Sequence, residues 1–222
     1  MTFQLTEPIL LIGLGGVGAS LAEKAKKSLN SDCLLISHDQ KDLTAENSIK
    51  ISTKSVVNPS THLIRGSTLE TSDEIKKNIA NYSTVILMSN LAGKAGVGIG
   101  PIVSRICKQE QKNLLSFAIM PFKFEKERIF QSGIALKRIR QDSQCTIVVD
   151  NDALLDSNPD LTQKQCYDIS NKAIESMMHS LKSSEISEDT NILSTGKATD
   201  DIEASLKDSL RMLYEDAPPN SI

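Results

Sequence analysis

Asn90-Leu91-Ala92-Gly93-Lys94-Ala95-Gly96-Val97-Gly98-Ile99-Gly100-Pro101 lies between a strand-like run, Thr84-Val85-Ile86-Leu87-Met88, and a helix-like run beginning at Ile102. A helix N-terminus leaves backbone N–H groups unpaired and carries the positive end of the macrodipole, so small residues there let an anion reach bare backbone. Pro101 suits the first helical position, where no N–H is needed. The stretch reads either as a phosphate cradle or as a glycine-rich turn that binds nothing. The rest of the chain decides between the two.

A second glycine run stands near the start. Ile9-Leu10-Leu11-Ile12 is a continuous apolar run that ends in Gly13-Leu14-Gly15-Gly16-Val17-Gly18, and a helix-like stretch follows from Ser20 to Leu29. Cys33-Leu34-Leu35-Ile36 reads as a buried strand ending at Ser37-His38-Asp39, after which residues 40–68 are polar, with one short strand expected at His62 to Arg65. A helix over Thr71 to Asn81, the strand Thr84 to Met88 and a helix over Ile102 to Gln111 come next. A strand at Leu114 to Met120, a helix over Lys126 to Arg140 and a strand at Thr146 to Val149 continue the alternation. Apolar strands alternating with amphipathic helices predict an α/β fold, a Rossmann-like parallel sheet with helices on both faces. Beyond Asp150, apolar residues recur at helical spacing, giving a long helix from about Thr162 to Ser183. A strand at Asn191-Ile192-Leu193 and a helix over Asp200 to Tyr214 precede a Pro218-Pro219 tail. The expected division is 1–184 for the main domain with its long helix, 185–214 for a short strand–helix appendage and 215–222 for the tail.

Composition narrows the function classes. A length of 222 residues with 39% hydrophobic content suits one substantial core, and a net charge of -3 offers no general polyanion surface, so neither nucleic acid nor an anionic membrane is an expected partner. The cysteines at 33, 107, 145 and 166 form no C-x-x-C pair and read as reduced, buried thiols, which points to the cytoplasm. No signal-type segment opens the chain, and no apolar run approaches the roughly 18 residues of a spanning helix.

Gly13, Gly15 and Gly18 satisfy G-x-G-x-x-G between a strand and a helix, with Asp39 available for a ribose, so a dinucleotide such as NAD is one reading. It leaves the second glycine stretch unexplained. A nucleotide triphosphate lying across the carboxyl edge of the sheet uses both.

Taken together, these segments resemble the FtsZ/tubulin family of GTPases over most of the chain. Gly13 to Ser20 is similar to the family's first nucleotide loop, and Gly93, Gly96, Gly98 and Pro101 fall in register with its G-G-G-T-G-T-G signature. Pro121-Phe122-Lys123-Phe124-Glu125 resembles its P-F-x-F-E segment, and Asp150-Asn151-Asp152-Ala153-Leu154-Leu155 its P-N-D-x-L-L segment. The resemblance implies GTP or GDP as ligand, with Mg2+ held through the phosphates. It places Gly15, Gly16, Gly18, Gly93, Lys94, Ala95, Gly96, Val97 and Gly98 around the phosphates and Asp39 after the second strand. Glu125 would meet the ribose, Arg128 phosphate, and Ser20, Asn151, Tyr167 and Asn171 the base.

Two departures bear on activity. Both signature threonines are replaced, by Ala95 and Val97, and one glycine is Lys94. Hydrogen bonds to a charged group contribute about 1.5–3 kcal/mol each, so restoring both threonines would tighten GTP binding if those side chains face phosphate. The family's N-x-D-x-x-D loop, which completes the site of the next subunit in a filament, has no counterpart between Leu181 and Ile192; Ile192 to Asp201 already resembles a later family segment. The expectation is an FtsZ-like, division- or cytoskeleton-related protein with weak or no GTPase activity alone, partnered by itself or a full-length homologue. A nucleotide-free interaction module and an NAD-binding oxidoreductase remain as alternatives.

Overall fold

The computed structural model describes residues 2–54, 57–181, 186–187 and 190–193. Its strands are β1 (Thr2–Phe3), β2 (Ile9–Leu14), β3 (Asp32–Ser37), β4 (Ser48–Lys50), β5 (Thr84–Asn90), β6 (Asn113–Ile119), β7 (Cys145–Val149), β8 (Ile186–Ser187) and β9 (Thr190–Leu193). Its helices are α1 (Gly15–Leu29), α2 (Thr61–Glu70), α3 (Ser72–Ile79), α4 (Lys94–Gln109), α5 (Lys126–Asp142), α6 (Asp152–Ser157) and α7 (Gln163–Ser180), with a 3-10 turn at Gln40–Asp42.

Seven strands form one parallel sheet in the order β4-β3-β2-β5-β6-β7-β9, while β1 and β8 pair antiparallel beside it. β2 is buried throughout, as a strand covered on both faces must be. Side chains alternate between two cores. Leu11, Ile86, Met88, Phe117 and Ile147 meet α1 and α7 on one face. Leu10, Ile12, Leu34, Ile36, Val85 and Leu87 meet α2, α3 and α4 on the other. The α/β architecture expected from the sequence is therefore present. All four cysteines are free and buried, and burial pushes the Cys33 thiol up to about 11 and the Cys107 thiol to about 12.

The glycine stretch differs from expectation. α4 begins at Lys94, not at Ile102, so Gly96, Gly98, Gly100 and Pro101 lie inside the helix and only Leu91–Gly93 form the loop. Each interior glycine disfavours helix by about 1 kcal/mol, and close packing explains why they are there. A Cβ on Gly96 would run into the carbonyl oxygen of Asn90; one on Gly98 would lie 2.8 Å from Ile64 Cγ2, and one on Gly100 3.1 Å from Ile139 Cδ1. The glycines let α4 sit against the end of β5 and let α2 and α5 close over it. Pro101 has no N–H to give the carbonyl of Val97, and Arg65 Nη2 donates to that oxygen at 3.5 Å, the long limit of a hydrogen bond.

His62 to Arg65 form part of α2, not a strand, because Ser60 caps the helix by accepting from the Leu63 N–H at 3.3 Å and Ile64 is buried one turn in. β4 is too short for periodicity to reveal, with Ile49 its one buried residue. α7 opens with a capping box between Thr162 and Gln165. The strand expected at Asn191 to Leu193 is β9, and it joins the main sheet beside β7. The helix expected over Asp200 to Tyr214 and the tail lie outside the described residues.

The helical glycines divide into two groups. Gly96→Ala is expected to destabilise the fold by about 3 kcal/mol, as overpacking against backbone does. Gly66→Ala has open space around the added methyl group and is expected to stabilise by about 0.5–1 kcal/mol. Chemical denaturation of the two variants against the parent checks both signs.

Candidate functional site

The strand order reverses between β2 and β5. The chain leaves β2 through α1 toward β3, and leaves β5 through α4 toward β6, so the carboxyl ends of these two neighbours flank a crevice at a topological switch point. Ligands of open α/β sheets bind in such crevices. Both glycine runs of the sequence arrive there. α1 and α4 both start without a side-chain cap and without an acid in the first turn, whereas α2 and α7 are capped by Ser60 and Thr162 and the uncapped α3, α5 and α6 each carry an acid there. Two sets of unpaired N–H groups and two positive dipole ends therefore meet.

They meet closely. Gly15 has φ +64, which glycine adopts without strain, and a Cβ there would lie 2.9 Å from Ala95 Cβ. A Cβ on Gly18 would run into the Met88 carbonyl, so α1 is seated on β5. Asn90 shapes the short loop: its carbonyl accepts from the Gly93 N–H at 3.2 Å and its side chain from the Ala92 N–H at 3.0 Å. The side chains of Ala95 and Val97 do not line the crevice freely. Ala95 is buried in the cluster with Leu14, Ile36 and Ile99, and Val97 packs with Leu91, Ala118 and Leu136. Ala95 thus turns its methyl group toward Gly15 at the start of α1, and Val97 turns toward Leu136 of α5, so a threonine at either position would set its hydroxyl among these neighbours. Lys94 Nζ donates to Asn58 Oδ1 at 2.6 Å and to the Pro59 carbonyl at 3.0 Å, so its ammonium is engaged by the segment before α2.

Asp42, which the sequence reading passed over, is placed against the start of α1. Its carboxylate accepts from Ser37 Oγ at 2.6 Å, and a Cβ on Gly16 would lie 2.9 Å from Oδ1. Asp39 is exposed and caps the 3-10 turn by accepting from the Lys41 N–H at 3.1 Å, while its own N–H donates to Ser37 Oγ. His38 is held below the usual imidazole range by burial, and its Nδ1 is buried with no partner. The charges of Asp39, Asp42 and Lys94 reach it. No run of regular spacing marks Ser37, His38 and Asp42 in the sequence; the turn after β3 brings them together.

The far end of the crevice is built by α7. Lys24 pairs with Glu175 at 2.7 Å and Ser28 Oγ meets His179 Nε2 at 3.0 Å, so α1 and α7 run side by side in one register. One turn earlier in that register stand Ser20, exposed, and Asn171, whose Oδ1 is buried with no partner. Tyr167, one turn before Asn171, meets Phe122 edge-on with ring centroids 5.4 Å apart, and its hydroxyl engages the Asn90 side chain. Burial and the nearby Glu125 charge hold that phenol above its usual range. Glu125 accepts from the Phe122 N–H at 3.1 Å and pairs with Arg128 at 2.8 Å.

Asn151 is placed differently from the rest. It is fully buried, donates to the Met120 carbonyl at 3.4 Å and accepts from Ser170 Oγ at 2.5 Å, so its amide is taken up by neighbours. Beside it, both carboxylate oxygens of Asp152 accept from the Lys123 N–H, at 3.1 and 2.9 Å. The 121–125 and 150–155 segments thus brace each other. Among the described residues no group of three or more His, Cys, Asp or Glu side chains is arranged to hold a metal ion, and no helix is long and apolar enough to cross a membrane.

Comparison with known proteins agrees with this geometry. The sequence profile of the tubulin/FtsZ family, GTPase domain, matches residues 8–159, more than half of the chain. Cell division protein FtsZ 1 of Halobacterium salinarum is 26% identical over 192 residues, covering 81% of this chain and 47% of the relative. Cell division protein FtsZ 2 of the same organism is 25% identical over 180 residues, covering 75% of this chain and 44% of the relative. The chain thus spans less than half the length of these relatives. In fold, it is similar to the W319Y mutant of FtsZ from M. jannaschii, with a TM-score of 0.75 at 19% identity over 91% of this chain and 71% of that one. The matched profile covers both glycine runs, the switch-point crevice and the two bracing segments, and the chain belongs to the tubulin/FtsZ family.

Proposed function

We propose that the chain binds a guanine nucleotide, GTP or GDP, in the crevice between the carboxyl ends of β2 and β5. The observation that carries this reading is the pair of uncapped helix N-termini, α1 and α4, which touch through Gly15 and Ala95 and have no acid in either first turn. Phosphates would take the free N–H groups of Gly15, Gly16, Lys94, Ala95 and Gly96. The site supplies mainly backbone, so it asks little of the side chains at 95 and 97. Mg2+ would be held mainly through phosphate oxygens, with at most one or two carboxylates.

The base end supports guanine. Asn171 Oδ1 is an acceptor left open in a buried position beside Tyr167. The Watson–Crick edge of guanine carries two adjacent donors that suit such an acceptor, whereas that of adenine carries one donor and one acceptor. Asn151 acts behind the site, holding Ser170 and Met120, while Glu125 and Arg128 stand as a pair at the mouth near Tyr167. Without an N-x-D-x-x-D counterpart, the chain would turn over GTP weakly or not at all alone. It would serve division-related or cytoskeletal assembly in the cytoplasm, with itself or with a full-length FtsZ-like homologue.

Two observations favour a second reading, a module that has kept the fold without the ligand. Asp42 already sets a carboxylate against the start of α1, and Lys94 is engaged by Asn58 and Pro59. An anion entering the cradle must contend with the first and gains nothing from the second until that ammonium is released.

Three measurements separate these readings. Nucleotide extracted from the purified protein is expected to be GDP or GTP, and calorimetric titration should rank GTP above ATP and NAD; binding of none of the three supports the ligand-free module, and NAD alone the oxidoreductase. Asp42→Asn removes a negative charge from the cradle and is expected to tighten GDP binding in Mg2+-free buffer by about tenfold, equivalent to about 1.4 kcal/mol; unchanged affinity would place the phosphates elsewhere. Val97→Thr sets a hydroxyl among Leu91, Ala118 and Leu136 and is expected to cost about 1–2 kcal/mol in thermal stability while leaving GDP affinity unchanged.

A further inference from the structure

α5 packs on α4 through Ser132, Ala135, Leu136 and Ile139, so its opposite side faces outward. That outward side is not simply polar. Phe130 is 74% and Ile134 39% exposed, and at i and i+4 they share one stripe of the helix. Lys126 stands four residues before Phe130 and Lys137 three after Ile134, so exposed lysines continue the stripe at both ends. Neither lysine is in an ion pair among the described residues. Arg138 adjoins the stripe, and the charge of Arg65 on α2 reaches it. Glu127 shares the outward side and Glu70 ends α2, so the surface carries both signs with cations in excess. The net charge of -3 is thus unevenly shared: α5 alone holds five basic residues against two acidic ones, Glu127 and Asp142.

We propose that the outward stripe of α5 docks the chain on an anionic lipid surface, with the helix lying flat and Phe130 and Ile134 entering just below the headgroups. A helix lies in a membrane interface when an apolar strip is bordered by cations whose long stems keep the charge at headgroup level. Lys126 and Lys137 stand in that relation to Phe130 and Ile134. Eleven positions apart, they bracket the apolar pair over about 16 Å of helix. The stripe is the ridge of a helix, and a flat, deformable surface receives a ridge without needing a groove. A second copy fits poorly, because pairing about this stripe would set Lys126, Lys137 and Arg138 against like charges. The rest of the chain is net acidic and is repelled by the same lipid, which turns α5 toward it. The docking is peripheral, and the proposal is independent of nucleotide binding.

The sequence contains no tryptophan, so Phe130→Trp places a single reporter at the centre of the stripe. Mixed with vesicles of phosphatidylglycerol, the full chain with this substitution is expected to co-sediment, its emission moving to shorter wavelength and being quenched by bromine-labelled acyl chains. Vesicles of phosphatidylcholine alone should give neither effect. In the otherwise native chain, Lys126→Glu with Lys137→Glu should weaken co-sedimentation with phosphatidylglycerol by at least about tenfold. Gly133 lies one turn from both Phe130 and Lys137, and a Cβ there meets nothing within 4 Å. Gly133→Leu should therefore strengthen binding severalfold with thermal stability maintained, a gain that a loss of folding does not produce. No co-sedimentation, equal binding to phosphatidylcholine, or no gain from Gly133→Leu overturns the proposal. Equal binding to soluble polyglutamate without the shift in emission overturns it in favour of an acidic protein partner.

Discussion

The backbone N–H groups at the starts of α1 and α4 have no partner within their own helices, and neither N-cap residue, Leu14 or Gly93, supplies a side-chain acceptor. This constraint organises the molecule. Free donors at a helix start are tolerated where water or an anion can reach them, so both helices must begin at an open edge of the sheet. Parallel β2 and β5 bring the two starts side by side, and glycine at 15, 18 and 96 removes the side chains that would hold them apart. The remaining elements support that meeting: α7 flanks α1, α2 and α5 close over α4, and the apolar strands give both helices a firm seat.

Two kinds of glycine share one stretch of sequence. Gly93 ends the loop, while Gly96, Gly98 and Gly100 lie within a helix and serve close approach. A linear reading cannot tell these uses apart, because both remove the Cβ and only the partner across the gap differs. For the same reason the direction in which the side chains at 95 and 97 turn cannot be read until the helix start is located. Once α4 begins at Lys94, position 97 belongs to the core with Leu91 and Leu136, and valine is the residue such a position favours.

The alternating strands and helices were legible because β2, β3, β5, β6 and β7 are buried apolar runs and the helices between them are amphipathic. β4 and α2 were not, since neither a three-residue edge strand nor a helix containing Gly66, Ser67 and Thr68 has a distinct apolar period. In the candidate site, the glycines, Tyr167 and Asn171 could be read from their spacing and their likeness to the family. Asp42 and His38 could not. Their positions depend on a turn held by Ser37, through bonds between residues two and five apart that follow no period. The segment 121–125 and the segment 150–155 matched the family most specifically, yet Asn151 and Asp152 chiefly hold backbone and neighbours in place.

Pro101 leaves the Val97 carbonyl short of its helical donor, and Arg65 reaches across from α2 to that oxygen. This carbonyl belongs to the opening turn of α4, whose amide groups face the crevice. A proline one turn into α4 is thus matched by a cation on the neighbouring helix, and this long hydrogen bond ties α2 to the opening turn of α4 through a single side chain.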